Sequence, residues 1–352
     1  MKVVVTVLFL ALVCTVPCRG LEVDGLESLW EQAESVGVDR AVGLKEGLSG
    51  LFASALSQLE GILRAGAVTG LKLLAVVLLC ALAEGTAGVG KGEGLQAVEL
   101  AGVLSITALT MTDMAAMIGL GRETVGRIDR FSSTLLPVMA FLTAVGGGVN
   151  AAAARQGATV LFSQLLIAAM DRLIIPLVYA FVAVNCARAA LDNPGLSRLA
   201  ALLKSAATFL LTALLLAFVG YLTASGAIAG SVDASAVKAA KLAISRAVPV
   251  VGSILADASE TVLAGAGVLK GTVGVTGLLV VLAICLTPFL HLAFQYLLYK
   301  VVAALCAVVA QPRLSGLIDA IGSAFGVVLG MTGAAALVLL VSLVSAISGV
   351  TA

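Results

Sequence analysis

The sequence predicts an all-α, polytopic membrane protein, and three observations predict it. The 352 residues are 61% hydrophobic and only 12% charged, where a soluble globular domain carries about 25% charged residues. Mean hydropathy is +1.14. The apolar runs reach the roughly 20 residues that a helix needs to cross the hydrocarbon core, and they do not alternate with the period of two that a half-buried strand shows. Together they predict roughly six to eight transmembrane segments. A net charge of +1 gives nothing that argues for nucleic acid.

Residues 1–20 read as a secretory signal peptide, with Lys2 as the positive region, Val3 to Val13 as the apolar core and cleavage after Gly20. The chain beyond Gly20 is expected to emerge outside the cytoplasm. Residues 21–64 form an acidic and then amphipathic segment in which Leu44, Leu48, Leu51, Phe52, Ala55, Leu56 and Leu59 recur at helical spacing. Residues 65–130 read as a two-span hairpin. Its spans are Ala65 to Ala83 and Leu95 to Leu120, and a charged connector from Gly121 to Arg130 closes it. Residues 131–224 hold the apolar runs Phe131 to Val149, Gly157 to Ala187 and Ser205 to Thr223. The second of these is interrupted by Asp171-Arg172 and Pro176. Residues 225–246 put Lys238, Lys241 and Ser245 on one helical face, which suits an interfacial linker whose lysines reach the headgroups. Residues 247–352 contain an apolar run from Gly271 to Ala310, read as two spans or as one helix kinked at Pro288, and a last span from Phe325 to Ile347.

Prolines outside the leader pair up. Pro137 and Pro176 are 39 residues apart, as are Pro249 and Pro288, and Pro194 and Pro312 come next in each set. Gly195-Leu196-Ser197-Arg198-Leu199 is similar to Arg313-Leu314-Ser315-Gly316-Leu317, after which Ser205 and Ser323 fall in register. The pattern suggests a duplication, with 131–224 as one unit and 247–352 as the other. An odd number of spans per unit makes the copies inverted, as in many transporters, and an even number makes them parallel. The four prolines Pro137, Pro176, Pro249 and Pro288 are the expected kinks.

The segment from Arg246 to Gly271 starts at a proline, runs apolar, and then breaks into Asp257, Ser259, Glu260 and Thr261. It is too broken to span, so it is expected to line a cavity or pack inside the bundle. A charge at the bilayer centre costs several kcal/mol, so ionisable residues in apolar runs face an interior or a water path. Candidate conduit or polar-cluster residues are therefore Asp257, Glu260 and Thr261, with Asp171, Arg172, Asp113 and His291. Asp171-Arg172 also reads as a surface break between two short helices, and His291 as a core or interfacial histidine. The cysteines in the apolar runs lack metal-ligand spacing and read as small buried hydrophobes. No nucleophile elbow, phosphate loop or H-E-x-x-H motif occurs, so the sequence points away from an enzyme, and it calls for no cofactor.

Pro249-Val250-Val251-Gly252, followed by Asp257-Ala258 and by Glu260-Thr261-Val262, resembles the stage III sporulation protein AE family. The resemblance covers most of the chain and is best from about Arg246 to Gly330. It implies a multi-pass component of a sporulation-specific, secretion-like channel complex in the mother-cell membrane around the forespore. The implied partners are other stage III sporulation membrane proteins, including an ATPase subunit, a forespore-membrane partner and the bilayer itself. It carries over no catalytic residue. A stand-alone secondary transporter and a structural membrane anchor for the assembly are the alternatives.

Overall fold

The computed structural model describes Glu34 and residues 44–86, 93–145, 161–191, 193–224, 272–309 and 311–351. Among these residues there is no strand. Six helices account for nearly all of them: α1 (Leu44–Thr86), α2 (Glu93–Val145), α3 (Leu161–Leu191), α4 (Pro194–Ala224), α5 (Thr272–Val309) and α6 (Pro312–Thr351). Each contains a stretch long and apolar enough to cross a membrane. The signal peptide, the linker 225–246, Pro249 and the island Asp257, Glu260 and Thr261 lie outside the described residues.

Three segments are joined where hydropathy divides them. The charged stretch Gly121 to Arg130 is helical, and α2 continues through it and through Pro137 to Val145. Glu123 and Arg127 sit one turn apart and pair at 2.7 Å, the i,i+4 contact that supports a helix in water. Asp171 and Arg172 do not separate two helices. They lie in a five-residue π segment, Met170–Ile174, inside α3. Its cause is Pro176, whose ring crowds the preceding turn and whose nitrogen offers no proton. The Ile175 N–H donates to the Met170 carbonyl, five residues back, and the widened turn absorbs the proline. Pro288 lies inside α5, which stays one helix of 38 residues.

α6 is the centre of the bundle. Of its most apolar stretch 94% is buried, against 22–44% for the other five helices. α2, α3, α4 and α5 all pack on it, and α1 lies outside against α5 and α2. Two glycines bring α5 close to it. A Cβ on Gly322 would meet the Tyr299 Cβ at 3.0 Å, and one on Gly326 would meet the Tyr296 ring at 3.0 Å. Glycines four apart let helix backbones approach in a membrane, where close packing drives association. Cys80, Cys285 and Cys306 are buried with free thiols, as expected of small hydrophobes, and Cys186 is half-buried.

The two hairpins α3–α4 and α5–α6 turn in the same way. Pro194 and Pro312 each open the second helix, at the position where a missing N–H costs nothing. The Leu196 and Leu314 amides donate back to the Asn193 and Gln311 carbonyls at 3.1 and 3.2 Å, and the Asn193 side chain accepts from the Gly195 amide at 2.8 Å. Ser197 and Ser315, each three residues into its helix, line one cleft, so both turns lie at the same end of the bundle. The start of α2 lies there too, because Glu99 pairs with Arg313. The hairpins therefore enter the membrane in the same sense. In a background without native cysteines, Asn193→Cys and Gln311→Cys are expected to react with a membrane-impermeant maleimide from one and the same side. Labelling from opposite sides would contradict this topology.

Candidate functional site

The interior polar site is built where α2 faces α5. His291, Gln295 and Tyr299 recur every four residues and so share one face of α5. Asp113 of α2 meets that face. The Tyr299 hydroxyl donates to Asp113 Oδ2 at 2.9 Å, and Gln295 Nε2 donates to the same oxygen at 3.3 Å. His291 completes the row, half-buried and within the electrostatic reach of Asp113. Tyr299 is fully buried, wedged over Gly322 and edge-on to Phe325 with ring centroids 4.9 Å apart. The phenol cannot swing away, so its hydroxyl holds the carboxylate in a fixed direction.

Among the described residues Asp113 has no cationic partner. The carboxylate is therefore held by neutral donors, the Tyr299 hydroxyl and the Gln295 amide. Among the described residues no group of three His, Cys, Asp or Glu side chains is arranged to hold a metal ion.

α2 carries two further polar contacts on either side of Asp113, each to a different helix. Glu99, buried, accepts from Arg313 Nη1 of α6 at 2.7 Å. Arg122 pairs with Asp171 of α3 at 2.9 Å, with both side chains exposed. At 1.5 Å rise per residue, Glu99 and Arg122 are about 35 Å apart along the axis, close to the thickness of a hydrocarbon core. Asp113 falls between them, within the stretch Ala97–Leu135 that is long and apolar enough to cross a membrane. Nearer the turn end, Lys300 of α5 donates to Asp319 Oδ1 at 2.6 Å and to Ser323 at 2.9 Å.

Of the residues singled out in the sequence, the structure brings Asp113 and His291 to one site. Asp171 lies in the π segment and belongs to a separate, exposed ion pair, and Arg172 is exposed on α3 without a partner among the described residues. Lys300 pairs with Asp319 at 2.6 Å. Gln295 reads in the sequence only as an interruption, and Tyr299 is hidden because tyrosine blends into an apolar run. The four-residue spacing His291–Gln295–Tyr299 is the signal that marks them.

The family model for stage III sporulation protein AE matches residues 44–349. The chain belongs to that family. The match takes in all six helices, short of the last two residues of α6, and both members of every contact of the interior site. The stage III sporulation protein AE of Bacillus subtilis (strain 168) is 26% identical over 203 residues, which is 58% of this chain and 50% of that protein. The chain thus spans about half the length of the curated relative it matches. No solved structure matches. This member of the family is a multi-pass helical membrane protein.

Proposed function

We propose that this family member is a membrane subunit of a sporulation-specific transenvelope complex, resident in the mother-cell membrane around the forespore and needed for forespore development. The observation that carries the reading is the family match across the whole six-helix bundle. Other stage III sporulation membrane proteins, an ATPase subunit and a forespore-membrane partner are its proposed neighbours. With a helix rather than a lumen at the centre of the described bundle, the reading sets the conduit between this subunit and its neighbours. The Arg246–Gly271 segment, with Asp257, Glu260 and Thr261, is the proposed lining. The leader predicts that the start of α1 is outside the cytoplasm, which makes the start of α2 and the α3–α4 and α5–α6 turns cytoplasmic, the side on which an ATPase acts.

A second reading, a secondary transporter, draws on Asp113, a membrane-embedded acid held by neutral donors alone. The two readings separate in a sporulating strain. The subunit reading expects deletion to stall engulfed forespores, Asp257→Asn/Glu260→Gln to stall them with the complex still assembled, and Asp113→Asn to leave forespore development intact. Normal forespores after deletion would sink it. Loss of function by Asp113→Asn alone, together with solute binding by the protein purified by itself, favours the transporter. An anchor would tolerate all three neutralisations.

A further inference from the structure

A second polar feature lies away from Asp113, at the turn end of the bundle. There α3, α4, α5 and α6 leave a cleft of about 510 Å³ between them. Three cations line it, each from a different helix: Arg188 of α3, Lys204 of α4 and Lys300 of α5. One carboxylate, Asp319, opposes them, and it is engaged by Lys300 at 2.6 Å. Among the described residues Arg188 and Lys204 have no ion-pair partner. Lys204 is half-buried and lies in the repelling field of Lys300 and the attracting field of Asp319. The first turns of α4 and α6 contribute Ser197 and Ser315 to the wall, and with them the positive ends of two helix dipoles.

We propose that the cleft binds the phosphate of an anionic phospholipid headgroup, with Arg188 and Lys204 as its principal contacts. Two cations without an ion-pair partner among the described residues, beside two helix N-termini, select an anion. Basic pockets between membrane helices hold lipid headgroups by this chemistry. Size and surroundings favour a lipid over a free phosphate ion. The volume is that of a site for a whole small molecule. Ala200 and Ala201 on α4, with Ala303, Ala304 and Ala307 on α5, give the cleft a smooth apolar wall that suits a glycerol backbone and the start of an acyl chain. Leu202 and Val308, next in sequence to two of these alanines, are 63% and 83% exposed, an apolar surface on which the chains can continue. The assignment does not depend on the conduit reading, since it concerns how the bundle sits in its bilayer.

The test uses the full chain purified from membranes and returned to nanodiscs of phosphatidylcholine with a minor fraction of phosphatidylglycerol. Bound lipid is counted by native mass spectrometry. The wild type is expected to retain phosphatidylglycerol in preference to phosphatidylcholine. Arg188→Gln/Lys204→Gln is expected to lower that retention by about tenfold or more. Arg188→Lys, which keeps the charge, should retain it. Arg198→Gln, at an exposed cation of α4 outside the cleft, should also leave retention unchanged. Ala304→Trp fills the cleft without altering charge and should lower retention in a protein that keeps its thermal stability, which covers the case where the double variant fails to fold. Equal retention of the two lipids would overturn the proposal, as would equal loss from Arg198→Gln. So would displacement of the lipid by excess inorganic phosphate, which would mark a free-phosphate site instead.

Discussion

Arg313→Met is expected to destabilise the bundle by about 3–5 kcal/mol. The loss is large because of what stays behind. Glu99 is 8% exposed, and its carboxylate is held by Arg313 at 2.7 Å. Without the guanidinium, a desolvated charge remains between α2 and α6, and the entry of water recovers only part of the cost. Total stabilities of about 5–15 kcal/mol make this a major fraction. The measurement is the thermal midpoint of the detergent-solubilised chain, followed by size-exclusion chromatography. Glu99→Leu/Arg313→Met removes both charges and is expected to recover most of the loss, since burying an ion pair gains little over a packed apolar pair. A single variant within about 1 kcal/mol of wild type would show that water solvates this pair.

Gly322→Leu is expected to be comparably damaging, by sterics instead of charge. Even the first added carbon would sit 3.0 Å from the Tyr299 Cβ and 3.6 Å from the Lys300 backbone nitrogen. Neither is the loose end of a flexible side chain, so the remaining leucine atoms force α5 away from α6. Overpacking alone costs about 1–3 kcal/mol, and the retreat of Tyr299 from Asp113 forfeits a hydrogen bond to a charged group worth about 1.5–3 kcal/mol. The same measurement reports it. Gly119→Ala is the control. Nothing lies within 4 Å of a Cβ there, and in an exposed helix the change is expected to stabilise by up to about 1 kcal/mol. Equal effects at the two glycines would refute the close-approach argument.

The class of the protein and the existence of its spans are legible in the sequence. Each comes from local composition, because lipid imposes length and apolarity on a segment whatever it packs against. The continuity of α2 is not legible. Hydropathy reports whether Gly121 to Arg130 belongs in the hydrocarbon, and a helix that runs on into water, with Glu123 and Arg127 paired along its surface, gives the same low value as a loop. The π segment is half legible. Pro176 announces a disturbance, but only the backbone decides between a break and one widened turn. The partner of each polar residue is not legible at all. Glu99 and Arg313 are 214 residues apart, and Asp113 and Tyr299 are 186 apart. Nothing in the composition between them fixes which helices meet.

The burial of α6 at the centre of the bundle also sets a timetable for biosynthesis. Among the described residues five helices precede it, and four of them pack on it. Until it leaves the ribosome α2, α3, α4 and α5 lack the helix on which they pack. Glu99 must wait for Arg313 through 214 residues of translation, about 10–40 s at ordinary rates. Through that interval the earlier helices stand in the membrane as a loose, unsatisfied set, exposed to proteases and to any insertase that shields them. Closure of the bundle is thus a late event, set off by the arrival of the helix on which four of the other five pack.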